Sequence, residues 1–169
     1  MPSIPSTSTA GAAPARSRTW PVLLLMLILC YAVAGVGAAA SGDAGSTYAA
    51  LDRPAWAPPG WLFGPVWTVL YGTIAVAGWL VARRPAPGRR PALVAWGVQL
   101  ALNALWTPLF FAAEQYGAAF LDIALLLAAV LTTALLAARV DRRAALLLVP
   151  YLLWVGYAAA LNLSLWLNN

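Results

Sequence analysis

DRPAWAPPGWLFGPVWTVLY, residues 52–71, is the stretch on which the fold turns. Pro54, Pro58 and Pro59 each lack an amide donor and restrict the residue before them, so the first half is not ordinary helix. The second half opens a long apolar run that continues to Ala82. Three of the nine tryptophans, four prolines and two glycines fall inside these twenty residues. A stiff aromatic loop therefore feeds directly into an apolar helix, and that junction is where function is expected.

Outward from this junction the composition sets the class. The chain is 63% hydrophobic and 9% charged, against about 25% charged in an ordinary soluble domain. Several runs reach the roughly 20 residues that cross a bilayer core. The pattern predicts an all-α polytopic membrane protein, a five-transmembrane-helix bundle over 20–169, with spans at 20–40, 61–82, 92–111, 118–138 and 144–167. Residues 1–19, rich in Ser, Thr, Ala and Pro, read as a disordered tail. Arg16 and Arg18 before the first run mimic a signal peptide, but the run is longer than a typical signal core and reads as a retained helix.

The connections are short, which makes sequential helices antiparallel neighbours. Charge agrees with that count. The tail, the 83–91 turn and the 139–143 turn are basic, whereas the 43–60 and 112–117 loops carry Asp43, Asp52, Glu114 and a lone Arg53. The positive-inside rule then puts the N-terminus in the cytoplasm. All ten cations are arginines, and their place in turns and tail explains the +5 charge without a nucleic-acid partner. Histidine is absent and Cys30 is the single cysteine, so no intrachain disulfide and no Cys/His metal set is available. No nucleophile–base pair assembles either, and Asp122 and Glu114 do not make a convincing acid–base couple. No required cofactor is expected.

Helical spacing sorts the remaining residues into faces. On the second span Phe63, Trp67 and Tyr71 form an aromatic stripe beside a small-residue stripe of Gly64, Thr68 and Gly72. The rings either face a ligand cavity or fill the bundle core. On the third span Trp96, Gln99, Asn103, Trp106 and Phe110 share a face, with Pro108 expected to loosen the last turn. Amides avoid lipid, so this face points inward, where Gln99 and Asn103 meet either neighbouring helices or a polar ligand group. Asp122, one turn into the fourth span, is either a relay or substrate contact or a helix-start charge, with Arg53 its most plausible cation. On the fifth span Tyr151, Ala158 and Asn162 fall close to one face, flanked by Trp154 and Tyr157, and Pro150 is expected to kink the helix or free a carbonyl. Trp79 and Trp166 read as interfacial anchors. The inventory is indole, phenol, amide and aliphatic, suited to a large, flat, mostly apolar ligand.

Three blocks, RPAWAPPGWLFGPVWTVLY at 53–71, QLALNALWTPLFF at 99–111 and PYLLWVGYAAALN at 150–162, resemble the tryptophan-rich sensory protein family, also called the translocator protein or peripheral benzodiazepine receptor family. The likeness runs from Gly35 to Asn168. It implies five transmembrane helices, a homodimer, and a receptor or sensor that binds porphyrins such as protoporphyrin IX, with transport or light-dependent degradation of the porphyrin attached to that role. It also implies a pocket beneath the first loop, chiefly between the first, second and fifth spans. By resemblance Trp56 and Pro58 belong to a loop lid and Trp67 to the pocket wall. Asn103, Trp106, Trp154 and Ala158 match further pocket positions, and the face reading adds Phe63, Tyr71 and Gln99. The tryptophans matching Trp67 and Trp154 are tied in bacterial members to porphyrin photodegradation. Animal members carry a sterol pattern needing a basic residue after a tyrosine; here Tyr157 is followed by ALNLSLWLNN, without one. The basic tail and the arginine-rich composition resemble a bacterial cell-membrane protein more than a mitochondrial one. Competing readings are a small-lipophile transporter and a non-catalytic regulatory membrane partner.

Overall fold

The structure is a computed structural model that describes residues 19–42 and 44–169. The expected disordered tail and Asp43 lie outside the described residues, apart from Thr19. Among the described residues the fold is all-α, and five helices are long and apolar enough to cross a membrane.

Helix α1 (Trp20–Ala40) carries Pro21 in its first turn, where a missing amide costs little. Its one fully buried residue is Cys30; Met26, Leu27, Val33 and Ala34 pack half-buried against the core, and Leu24, Ile28 and Val36 face outward. The loop that follows is not irregular throughout, because it contains a short helix α2 (Ala44–Ala50). An Ala/Gly/Ser segment has no apolar periodicity that would announce it; burial of Tyr48 holds it in place. A single 3₁₀ turn, Gly60–Leu62, leads into α3 (Phe63–Ala82). Pro65 sits in the first turn of α3, where amides need no intrahelical acceptor.

Helix α4 (Arg89–Thr107) starts three residues before the expected Ala92. Gly88 takes φ 87° to turn the chain, and Pro91 is tolerated in the first turn. Pro108 loosens the far end as a π turn, Pro108–Ala112, closed by Ala113 N–H donating to Pro108 O at 2.9 Å. Helix α5 (Tyr116–Val140) and helix α6 (Arg142–Asn168) are separated by Asp141 alone. Asp141 caps α6 by accepting from Arg143 N–H at 3.0 Å. Pro150 does not interrupt α6, which is continuous to Asn168, and its ring is exposed on the outer surface.

The spans close into a ring. α1 packs on α3, α3 on α6, α6 on α5, α5 on α4, and α4 returns to α1. The two basic turns meet at one end, where Arg84 Nε lies 3.1 Å from Asp141 Oδ2. Trp79 is more than an anchor there: its indole N–H donates to Thr19 O at 3.0 Å, and Arg83 lies 4.4 Å over its ring. At the other end the 51–59 loop lies against the end of α6. Asp52 N–H donates to Asn169 Oδ1 at 2.9 Å and Tyr157 hydroxyl to Trp56 O at 3.0 Å.

Candidate functional site

A cavity of about 520 Å³ opens between α1, α3 and the π-turn end of α4, with α2 over it. One wall is flat and small, made of Ala34, Gly35, Gly37 and Ala38 on α1. The facing wall is aromatic: Phe63, Trp67 and Tyr71 from α3, with Trp106 and Phe111 beside them. Ser41, Thr68, Thr107 and Tyr48 supply the few polar atoms at its edges. A Cβ added at Gly35 or Gly64 would meet nothing within 4 Å, so both glycines face open space. Such a slot, apolar with sparse polar groups, has the volume and lining of a small-molecule site.

The aromatic wall is fixed from behind. Trp67 packs against Tyr71 and Tyr151 at ring distances of 5.6 and 6.2 Å. Phe63 meets Tyr48 at 5.4 Å and Trp154 at 5.8 Å. These contacts fill the space between α3 and α6, which is why the cavity lies on the α1 side and takes no lining from α6. Tyr71 hydroxyl, at the cavity wall, donates to Asn103 Oδ1 at 2.5 Å. Asn103 Nδ2 donates to Tyr151 hydroxyl at 3.0 Å, and that hydroxyl donates to Gln99 Oε1 at 2.8 Å. Gln99 Nε2 ends the chain on Trp96 O at 2.9 Å. Trp106 N–H donates to Asn162 Oδ1 at 3.0 Å, and Asn162 Nδ2 to Tyr116 O at 2.9 Å. Both amides of the third span are thus used in bonds inside the bundle.

Of the residues singled out from sequence, Phe63, Trp67, Tyr71 and Trp106 meet in this cavity. Gln99 and Asn103 lie behind its wall. Ala158 lies deeper, in a small void with Trp106, Phe110 and Asn162. Trp56 and Pro58 are in the loop, Trp56 packed 5.6 Å from Tyr157 and Pro58 lining a separate surface cavity. Trp154 stands one ring behind Phe63, and its indole N–H has no partner among the described residues. The expected Asp122–Arg53 pairing is not made. Asp122 is 5% exposed on the inward face of α5, with Oδ2 unpartnered among the described residues. Arg53 instead stacks on Tyr48 in the loop, its guanidinium carbon 5.0 Å from the ring centroid.

The resemblance set the pocket beside the first and fifth spans; this cavity takes the first and not the fifth, and sequence reasoning named neither the residues of the α1 wall nor Tyr48. The AGVGAAA run at 34–40 was the available signal for the former, being too small to fill a core. Nothing local marked Tyr48. Its hydroxyl donates to Pro58 O at 2.9 Å, tying α2 to the proline loop. Burial pushes this phenol above its usual range, against a smaller opposing pull from Arg53, so it remains a neutral donor.

Residues 25–167 match the family model described as TspO/MBR family. The chain belongs to the TspO/MBR family. It is 39% identical over 131 residues to the translocator protein of Ovis aries, covering 76% of this chain and 78% of that protein. Protein CrtK of Rhodobacter capsulatus is 37% identical over 150 residues, covering 86% and 94%. The tryptophan-rich sensory protein of Cereibacter sphaeroides is 36% identical over 143 residues, covering 85% and 88%. Membership together with five apolar helices makes this an integral membrane protein of the translocator/sensory type.

Proposed function

We propose that this protein is a membrane receptor for a porphyrin-like tetrapyrrole, held in the cavity between α1 and α3. One observation carries the reading: a wall of Gly and Ala faces a wall of Phe63, Trp67 and Tyr71 across about 520 Å³. A slot with one smooth side and one π-rich side favours a broad planar ligand over a compact one. The family membership supports the same ligand class. Titration of the purified protein with protoporphyrin IX, followed by tryptophan quenching, tests it; a folded sample without saturable quenching refutes it.

Trp67 borders the cavity and Trp154 is reached from it through Phe63, which supports a part for both indoles in light-driven porphyrin breakdown. Undiminished breakdown under illumination in the Trp67→Phe/Trp154→Phe double variant would remove them from that role. A homodimer in a bacterial cell membrane, N-terminus cytoplasmic, belongs to the same proposal. Two basic turns at one end support the orientation. Exposed Gly97 and Ala101 on α4 allow close helix approach between copies. Cys30, the only native cysteine, is buried, so disulfide trapping of an Ala101→Cys variant reads the dimer cleanly.

A further inference from the structure

Arg53 is out of place by charge. Of the arginines in the described residues, all the others lie in the 83–90 and 139–143 segments at the opposite end of the bundle. Arg53 is exposed and has no ion-pair partner among the described residues. Its position is nonetheless defined. The preceding Asp52 N–H is tied to Asn169 Oδ1 at 2.9 Å, and Ala57 N–H closes a turn on Pro54 O at 2.9 Å. The guanidinium rests 5.0 Å from the centroid of Tyr48.

Tyr48 links this cation to the main cavity. It is part of that cavity's lining, and its hydroxyl reaches Pro58 O. Pro58 in turn borders a second, open cavity of about 420 Å³ with Leu51, Arg53, Pro54, Ala57 and Pro59. An apolar slot thus adjoins a proline-walled recess whose guanidinium has no ion-pair partner among the described residues. Guanidinium is the side chain best matched to a carboxylate, which it binds with paired N–H donors.

We infer that Arg53 is an oxyanion-pairing subsite, and that the ligand class is a flat amphiphilic acid whose apolar body fills the α1–α3 cavity while a carboxylate reaches Arg53. This rests on the tetrapyrrole reading above and narrows it to the free acids. Lipid-headgroup phosphate offers the same oxyanion chemistry, so the test separates the two sources.

Protoporphyrin IX and its dimethyl ester are titrated into wild type, Arg53→Gln and Arg53→Lys, in uncharged maltoside micelles and in phospholipid nanodiscs. Expected is about a fivefold weaker binding of the acid by Arg53→Gln, unchanged ester binding, partial retention in Arg53→Lys, and a difference that shrinks with added salt. Equal acid and ester affinity in wild type, untouched by Arg53→Gln, overturns the subsite and leaves the receptor reading standing. An effect of Arg53→Gln seen only in nanodiscs assigns the guanidinium to headgroup phosphate and also overturns it. Binding of neither compound by folded wild type overturns both readings together.

Discussion

Gly78→Ala is the sharpest test of how α3 and α4 are joined. A Cβ built at Gly78 would lie 2.8 Å from both Cε2 and Nε1 of Trp96 and 3.2 Å from Cζ2. Carbon contacts are comfortable near 3.5 Å, so the indole must withdraw by roughly 0.7 Å. That ring is buried, and its N–H donates to Ile74 O, one turn away on α3, at 2.9 Å. Withdrawal on that scale takes the bond out of range. Overpacking costs about 1–3 kcal/mol, and an orphaned buried donor about 1–3 kcal/mol more. Replacing helical glycine by alanine returns about 1 kcal/mol. The balance is a loss of about 3 kcal/mol, or roughly 6–12 °C in melting temperature for a chain of this length. Gly64→Ala is the control, since a Cβ there meets nothing within 4 Å. Thermal unfolding in one detergent, followed by tryptophan emission, compares the two. Adding Trp96→Phe, smaller and without the N–H, restores part of the loss. If Gly78→Ala melts with wild type or above Gly64→Ala, the close packing of α3 on Trp96 is wrong.

Gly64→Leu projects a side chain into open cavity space, so the melting temperature holds while protoporphyrin IX affinity falls by about tenfold or more; an unchanged Kd by fluorescence titration would place the ligand elsewhere. Asp122→Leu removes a buried oxygen without a partner among the described residues, and is expected to hold or raise the melting temperature by about 2–6 °C. A clear fall instead would reveal a partner for that carboxyl. Asp141 is buried, which opposes ionisation, yet Arg143 N–H, the Arg84 hydrogen bond and the nearby arginine charges outweigh that and hold its carboxyl below the usual range. A depressed folded value means that its contribution to stability is present above the ordinary carboxylate pKa, about 4, and is lost as pH falls through the lower folded value. Melting curves of Asp141→Asn should therefore be flatter with acidification in that window than those of wild type, and parallel curves would count against the cap.

The long apolar runs made five spans legible, and helical spacing put Phe63, Trp67 and Tyr71 together before any coordinates were needed. What periodicity alone left open was the destination of polar atoms. Gln99 and Asn103 lie on an inward face by pattern, but whether they meet a ligand or Tyr151 depends on a residue some fifty positions away. Short helix α2 was illegible for a different reason. Its seven residues carry no repeating apolar face, and it is held by tertiary contacts of Tyr48. Topology pairs Arg53 with Asp122 because both fall on one side of the membrane; the burial of Asp122 inside the bundle and the Tyr48 ring beside Arg53 decide otherwise.

Helix α1 buries only Cys30 completely and otherwise holds the bundle through half-buried Met26, Leu27 and Val33 and the Tyr31 hydroxyl on Thr68 O, while Ala34, Gly35, Gly37 and Ala38 give the cavity its α1 wall. That wall is backed by an outward apolar face, Leu24, Ile28 and Val36, which a membrane protein turns to lipid. On the tetrapyrrole reading proposed above, an apolar ligand partitions between that lipid and the cavity, so its concentration in the bilayer enters its occupancy. Apparent Kd values expressed per litre of buffer will rise with the lipid-to-protein ratio as membrane and protein compete for the same molecule. Affinities from different micelles or vesicles become comparable only after correction for partitioning.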